Sequence, residues 1–259
     1  MKISTFNVNG IHSRLPRLLE WLAETQPDVA CLQELKTSDE TFPAAAIEEA
    51  GYRAIWHGQK GFNGVAILTR GTDLKERRRG LPGDPDDTHS RYIEADVGHL
   101  TVGCLYLPNG NPQPGPKFDY KLAWFERLIE HAGQLVNCGR PVLLVGDYNV
   151  VATDDVADIY STRSYKDDAL LQPATREAYF RLLGQGWTDA IRHLHPGEPI
   201  YTFWDYFRNR WPRNAGLRID HLLLNREAAQ LLEQTGVDTS QRGKEKASDH
   251  APAWVVLRD

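Results

Sequence analysis

A chain of 259 residues with 41% hydrophobic and 25% charged residues has the make-up of an ordinary globular protein. This excludes a disordered chain, a collagen-like repeat and a coiled-coil fibre. Its formal net charge of −5 counts against a polyanionic partner only if the basic residues are evenly spread, because phosphate binding needs local positive charge. They cluster instead, at Lys75 to Arg79, at Arg208 to Arg218 among Trp204, Tyr206, Phe207 and Trp211, and at Arg242, Lys244 and Lys246.

In chain order, Ile3 to Val8 alternates apolar and polar residues and is expected to be a strand. Leu15, Leu18, Leu19 and Leu22 follow helical spacing, with Ser13 as the expected N-cap and Pro16 in the first turn. Val29 to Leu32 and Val65 to Leu68 are short buried-type strands. Tyr92 to Val97 and Leu100 to Leu107 flank Gly98-His99 and form an expected hairpin. Phe118 to Leu135 carries a long helical stripe, Pro141 to Asp147 is the most apolar strand, and Tyr179, Leu182 and Leu183 mark a third helix. Ile219 to Leu224 and Ala253 to Leu257 are the closing strands. Gly80 to Pro85 and Pro108 to Pro116 are loops rich in Pro and Gly rather than linkers, so one domain over 1–259 is expected. Strands that come in runs as well as beside helices favour an α/β fold of two packed, mixed or mostly antiparallel sheets with helices outside.

No run of about 18 apolar residues occurs, so no membrane-spanning helix is expected. The start Met1-Lys2-Ile3-Ser4-Thr5 lacks the basic-then-apolar pattern of a secretory signal. The cysteines are few and odd in number (Cys31, Cys104 and Cys138), which argues for a reducing, cytoplasmic setting without a disulfide framework.

Several strands end in a carboxylate or amide, which packing does not require. Asn7 ends the first, Gln33-Glu34 the second, and Asp147-Tyr148-Asn149 the most apolar one; Asp220 sits two residues into the run that begins at Arg218, and Asp249-His250 precedes the last strand. Singly, each is an ordinary turn residue. Jointly they suit phosphodiester hydrolysis, which needs a hard divalent cation on a few oxygens, a group to activate water, and a donor to the phosphate. Glu34 and Asp249 can supply oxygens to the metal, Asp147 can handle the water, Asn7 and Asn149 can orient ligands, and His250 can donate to the phosphate.

At this point the chain resembles the exonuclease III family of abasic-site endonucleases, within the DNase I-like superfamily. The resemblance runs through Ser4-Thr5-Phe6-Asn7-Val8-Asn9-Gly10, Leu32-Gln33-Glu34, Gly61-Phe62-Asn63-Gly64, Tyr106-Leu107-Pro108-Asn109 and Gly146-Asp147-Tyr148-Asn149. It continues through Thr202-Phe203-Trp204-Asp205-Tyr206, Leu217-Arg218-Ile219-Asp220 and Ser248-Asp249-His250. It implies a four-layer α/β-sandwich, Mg²⁺ (or Mn²⁺), and cleavage 5′ to abasic sites in double-stranded DNA. It also implies 3′→5′ exonuclease action and cleaning of blocked 3′ ends, by a monomer. By the same resemblance Glu34 is the metal ligand, with Asn7 beside it and Asp249 near. Asp147 activates water that Asn149 positions, Tyr106 reaches the phosphate or leaving oxygen, and Asp220 pairs with His250 on the scissile phosphate. Phe203, Leu217 and Ile219 line an apolar pocket for a flipped-out baseless sugar, whose extrusion is cheap once pairing is lost. Asn109, Arg208, Arg210, Arg213 and Arg218 are expected to contact DNA. The stretch Gly110 to Pro116 departs from relatives that place a long or charged side chain there. Two other classes on this scaffold, a non-catalytic RNA-binding protein and a lipid or inositol phosphoesterase, rank lower. Every matched polar position is filled, and Thr202-Phe203-Trp204 belongs to the nucleic-acid branch.

Overall fold

The computed structural model describes residues 1–258 of the chain. Among these, strands and α-helices follow one another as β1 (Lys2–Asn7), α1 (Ile11–Thr25), β2 (Val29–Gln33), α2 (Ala44–Glu49), β3 (Arg53–His57), β4 (Val65–Thr69), β5 (Leu74–Arg79), β6 (Tyr92–Val97) and β7 (Leu100–Tyr106). Next come α3 (Pro116–Leu135), β8 (Val142–Asp147), α4 (Pro173–Gly184), β9 (Thr188–Asp189), α5 (Ala190–Leu194), β10 (Asp220–Leu224), α6 (Arg226–Ala229), β11 (Leu232–Val237) and β12 (Ala253–Leu257). They build two six-stranded sheets, ordered β11-β12-β1-β2-β4-β3 and β5-β6-β7-β8-β10-β9. One inner pair in each sheet is parallel, β1 with β2 and β7 with β8; the remaining pairs are antiparallel.

The period-two pattern explains the layers. Ile3, Val29, Cys31 and Ile67 of one sheet meet Ile93, Val102, Leu143 and Leu222 of the other in a fully buried inner core. The opposite strand faces carry helices. Leu18, Trp21 and Leu22 of α1 cover Phe6, Ala30 and Leu32; Trp124, Phe125 and Leu128 of α3, with Tyr179 and Leu182 of α4, cover Leu105, Leu144 and Leu223. Each such aliphatic side chain contributes roughly 1.5–3 kcal/mol when fully buried. The result is the helix–sheet–sheet–helix sandwich that the sequence predicts.

Three differences have local causes. Helix α1 begins at Ile11, three residues before the start that a Ser13 N-cap implies, with Gly10 (φ 99) at its N-cap. The backbone N–H groups of Gly10 and Ile11 bond to the carbonyls of Glu34 and Leu35. Tertiary contacts therefore satisfy donors that a Ser13 cap would have taken, and Ser13 Oγ donates back to Gly10 O at 3.0 Å. The cluster from Lys75 to Arg79 lies in β5, an exposed edge strand. It has no apolar alternation because neither face is covered, and charge suits an edge that must not pair further. There Arg77 bonds to Glu94 and Asp96 at 3.1 Å each. Finally, β3, β9 and β11 are missing from the expected strands; β3 and β11 are half-buried and β9 has only two residues. Cys31 and Cys104 are buried thiols and Cys138 an exposed one, all free. No helix among the described residues is long and apolar enough to cross a membrane.

Candidate active site

Strand register alone gathers the polar strand ends at one rim. Parallel pairing sets Asn7 beside Gln33, one residue before Glu34. Antiparallel pairing of β1 with β12 sets Thr5 opposite Ala253, so Asp249 and His250 fall near Asn7. In the other sheet, Tyr106 pairs with Asp147, and Asp147 with Asp220. Packing the sheets face to face then closes the circle. Asn7 spans the gap, donating from Nδ2 to Glu34 Oε1 at 2.9 Å and to Asp147 Oδ2 at 3.0 Å.

The backbone at this rim is unusual. Gly146 has φ 156, and a Cβ there would lie 1.9 Å from Leu105 O, so only glycine lets β8 approach β7 just before Asp147. Glu34 (φ 52) and Asn149 (φ 47) both adopt the left-handed conformation. For Asn this is common; for Glu it is rare and held by the surroundings, as often occurs at functional sites.

Electrostatics separates the roles of the acids. Asp147 is almost fully buried, and burial pushes its carboxyl up to about 7 against the opposing pull of His250. Its Oδ1 accepts the backbone N–H of Asn149 at 2.9 Å. Burial also works against Glu34, but hydrogen bonds from Asn7 and Lys36 prevail and hold it below the usual carboxylate range. Lys36 Nζ lies 2.8 Å from Glu34 Oε2. Burial alone would lower the His250 imidazolium; Asp220, bonded to Nδ1 at 2.8 Å, and Asp147, 3.8 Å from Nε2, raise it to about 10 instead. His250 is therefore a cation at neutral pH, with Nε2 turned towards Asp147. Burial, then the charges of Glu34 and Asp147, keep the Tyr106 phenol protonated as a donor. Arg91 lies over its ring at 4.8 Å.

Asp147, Asp220 and His250 place one ligand-type atom each within 4.8 Å of one another. That trio is not the best cation site, because a protonated imidazole has no lone pair to give. Hard oxygens are nearer the mark: Glu34 and Asp147, brought to one amide with only Lys36 and His250 to balance them, suit Mg²⁺ or Mn²⁺ and offer no thiolate for softer ions. Asp249 stands one step away, accepting from Asn9 Nδ2 at 3.0 Å, while Asn9 Oδ1 accepts from Lys36 at 2.6 Å.

Other expected residues lie where expected but with different duties. The Asn149 side chain is occupied, donating to Leu107 O at 2.8 Å and accepting from Asn109 Nδ2 at 3.1 Å, so its backbone N–H is what steadies Asp147. Asn109 is exposed at the lip. Phe203 is half-buried against His250, ring centroids 5.0 Å apart. Leu217 and Ile219 are buried in a cluster with Val151, Ile159, Leu170 and Leu171, against which Phe203 packs. They form a floor behind Phe203.

Two arginines are corrected. Arg218 has no exposed surface and cannot meet a phosphate; its guanidinium bonds to Asp158 at 2.8 Å, to Asp189 at 2.6 Å and to His221 Nδ1 at 2.9 Å. Burial opposes both charges, but Arg218 holds the Asp189 carboxyl far below its usual range. Arg210 is 6% exposed and packs over the rings of Tyr160 and Tyr165. Arg208 and Arg213 are exposed, as a DNA contact requires. The sequence pattern of alternating Arg and aromatic residues cannot distinguish a guanidinium stacked inward from one facing solvent. Arg218→Ala should accordingly destabilise the fold by about 3–5 kcal/mol in urea unfolding, since two buried carboxylates lose their partner. The salt dependence of DNA binding should stay as it was; a slope reduced by about one would instead mark Arg218 as a phosphate contact.

One buried cation escaped the sequence pattern entirely. Lys121, on the inward stripe of α3, is fully buried and donates to Asn109 O at 3.0 Å and Asn149 O at 2.6 Å. It ties together the two loops that follow β7 and β8. Burial lowers its ammonium to about 7. The only signal was a lysine where helical spacing calls for an apolar residue. A cavity of about 540 Å³ opens beside Asn109, bordered by Phe62, Arg91 and Tyr120.

The sequence profile of the Endonuclease/Exonuclease/phosphatase family matches residues 4–250, nearly the whole chain. The chain belongs to that family. Exodeoxyribonuclease III of Haemophilus influenzae is 36% identical over 268 aligned positions, covering 100% of both chains. Among solved structures, the 3′-phosphatase NExo from Neisseria, bound to a product DNA hairpin, superposes with a TM-score of 0.95 at 37% identity and 100% coverage of each chain. An AP endonuclease from Archaeoglobus fulgidus does so at 0.94, with 35% identity and 99% coverage of each. The family's name covers phosphatases too, yet these relatives act on DNA by name.

Proposed function

We propose that this family member is a DNA repair nuclease of the exodeoxyribonuclease III type, which hydrolyses phosphodiesters 5′ to abasic sites and clears blocked 3′ ends of duplex DNA. The observation that carries the reading is the Asn7 amide shared between Glu34 and Asp147, with the His250 imidazolium 3.8 Å from the same Asp147 oxygen. It supports an acid for a metal, a high-pKa carboxylate for water and a cation for the phosphate around one point.

Asp147, poised near neutrality by burial, takes the proton of the attacking water. His250, charged and oriented by Asp220, donates from Nε2 to a non-bridging phosphate oxygen as charge builds there. Tyr106 offers its O–H to the phosphate or the leaving oxygen. Glu34, with Asp147 and the nearby Asp249, would hold a Mg²⁺ ion, whose chemistry is to neutralise the phosphate and ease departure of the leaving oxygen. Phe203 would meet a baseless sugar, with Leu217 and Ile219 beneath it. Asn109, Arg208 and Arg213 would hold the flanking strands. Every group proposed comes from one chain, so a monomer suffices.

The test sets an abasic duplex, a 3′-phosphate duplex and an intact duplex side by side with Mg²⁺ or EDTA. Cleavage of the first two in Mg²⁺, and none in EDTA, is expected. Glu34→Ala should raise the Mg²⁺ needed for half-maximal rate by roughly tenfold or more, since even groups that only support ligands are worth about 10–100-fold. Arg208→Ala should leave that requirement alone. Turnover of a soluble inositol phosphate but not DNA would reject the reading.

A further inference from the structure

We propose that Gln33 is a positioning residue for the nuclease reaction: with Thr5 and Cys104 it fixes, from beneath the catalytic rim, where Glu34 stands relative to Asn7 and Tyr106. The proposal rests on the nuclease reading and specifies what sets the geometry of that same site.

The site is divided between the two sheets. Asn7 ends β1 and Glu34 follows β2 in one sheet; Tyr106 ends β7 and Asp147 ends β8 in the other. The inner contact between the sheets is largely aliphatic, with Ile3, Val29 and Ile67 against Ile93, Val102 and Leu143. Aliphatic burial is non-directional, so it presses the sheets together without fixing how the rim residues face one another. A catalytic arrangement has to be held to within about 0.5 Å.

The Gln33 side chain supplies the direction that this packing lacks. It has no exposed surface and lies in the seam between the sheets. Its Oε1 accepts from Thr5 Oγ1 at 3.2 Å. Its Nε2 donates to Cys31 O at 3.2 Å and, across the seam, to Cys104 Sγ at 3.2 Å. Cys104 answers from the other sheet, donating from Sγ to Leu32 O at 3.3 Å. The orientation of the amide is set by Cys31 O, which can only accept and therefore requires the nitrogen. A hydrocarbon of the same volume would pack here with no hydrogen bonds to satisfy, so the buried amide is a cost to the core that its packing does not explain.

Register carries the bonds of Gln33 up to the rim. Side chains two residues apart on a strand share a face, roughly 6–7 Å apart along it. Thr5 lies two residues before Asn7, Cys104 two before Tyr106, and Gln33 directly precedes Glu34. Parallel pairing sets Thr5 beside Cys31 and Asn7 beside Gln33. In the other sheet it sets Cys104 beside Val145, two residues below Asp147. A displacement at Gln33 is therefore a displacement of the rim, and Glu34 feels it most. Its left-handed backbone (φ 52) persists only where the surroundings over-determine it. The N–H groups of Val8 and Gly10 hold the carbonyls of Gln33 and Glu34 at 3.0 and 2.7 Å; the Gln33 amide is the anchor from below.

The experiment separates position from stability. Thr5→Val plus Gln33→Met replaces both hydrogen-bonding partners with apolar groups of similar volume. Cys104→Ala removes the partner across the seam, and Cys104→Ser keeps a donor and an acceptor there. Electron paramagnetic resonance of Mn²⁺ added to the DNA-free protein reads the metal site directly. The double variant and Cys104→Ala should each bind Mn²⁺ roughly tenfold more weakly, the lower end of the range for groups that only support ligands. Cys104→Ser should stay within about threefold of the parent, since its hydroxyl makes both bonds. Single-turnover cleavage of an abasic duplex at saturating Mg²⁺ should fall by roughly 10–100-fold in the same two variants. DNA affinity in EDTA should match that of the parent. The melting temperature of the double variant should equal or exceed the parent's, because no polar partner is stranded. If the double variant does not fold, the two Cys104 variants decide alone. Unchanged Mn²⁺ binding and cleavage would reduce Gln33 to packing and overturn the proposal. So would a loss in Cys104→Ala that Cys104→Ser fails to restore, or losses that merely follow a falling melting temperature. If Mn²⁺ binding changes as expected while the parent cleaves no DNA, the positioning of Glu34 stands and the nuclease reading fails.

Discussion

Asn in place of Asp147 should slow single-turnover cleavage by roughly 10²–10⁴-fold, the range expected when a group that accepts a proton in the transition state is lost. DNA affinity should be retained, because removing a negative charge next to the scissile phosphate relieves repulsion. Stability provides a second readout. Asp147 is 1% exposed and its carboxyl is pushed up to about 7 by burial. Its folded-state pKa lies above the unfolded value of about 3.9, so its contribution to stability is most favourable below that value. The contribution becomes unfavourable as pH rises towards 7, where the unfolded chain ionises more readily. Asn cannot ionise, so the variant should melt at the same temperature as the parent near pH 4 and higher at pH 8. A variant that unfolds more easily at pH 8 would mean that the ionised carboxylate stabilises the fold through Asn7 and Asn149. Cleavage within tenfold of the parent would remove Asp147 from the chemistry.

Much of this site was legible in the sequence for a physical reason. Carboxylates and amides placed at the ends of apolar strands have little packing purpose, and pairing register converts sequence position into rim position. Asn7, Glu34, Asp147 and Asp220 therefore announced themselves together. The same reasoning failed where a polar group is buried by design. Lys121 occupies a helical stripe that otherwise reads as core, and only its carbonyl partners, supplied by two loops distant in sequence, reveal why it is tolerated there. Arg218 failed in the opposite direction. Its Arg and aromatic neighbours suggested a DNA-facing loop, whereas the acids that bury it, Asp158 and Asp189, lie far off in the chain and carry no local signal. Strands were recognised where a face is fully buried, and missed where neither face is covered, as in β5, or where the strand is short or only half-buried, as in β9, β3 and β11. The family resemblance supplied the role of Tyr106, which spacing alone could not assign.

Asp220→Asn tests whether the charge on His250 is what the phosphate feels. Asp220 touches no substrate in this arrangement; it is a positioning residue, 1% exposed, whose Oδ2 bonds His250 Nδ1 at 2.8 Å. Burial pulls the imidazolium down, and Asp220 is the largest influence holding it up at about 10. Without that carboxylate the pKa should drop. A donor must be protonated to act, so activity is lost as pH rises through its pKa. The falling limb of the parent's pH–rate profile should then lie near pH 10, and that of Asp220→Asn several tenths of a unit to more than a unit lower. The rate deficit should be smallest near pH 6 and grow as pH rises past the variant's lower pKa, towards about tenfold for a shift of one unit. Stability moves by the same linkage. In the parent, His250 has a folded pKa above its unfolded value of about 6.5, so its stabilisation is complete below that value and fades as pH rises towards 10. The variant should lose most of this pH dependence. A merely structural role for Asp220 would lower the rate equally at every pH and leave the falling limb where it was; that pattern would return the phosphate's stabilisation to the metal and Tyr106 alone.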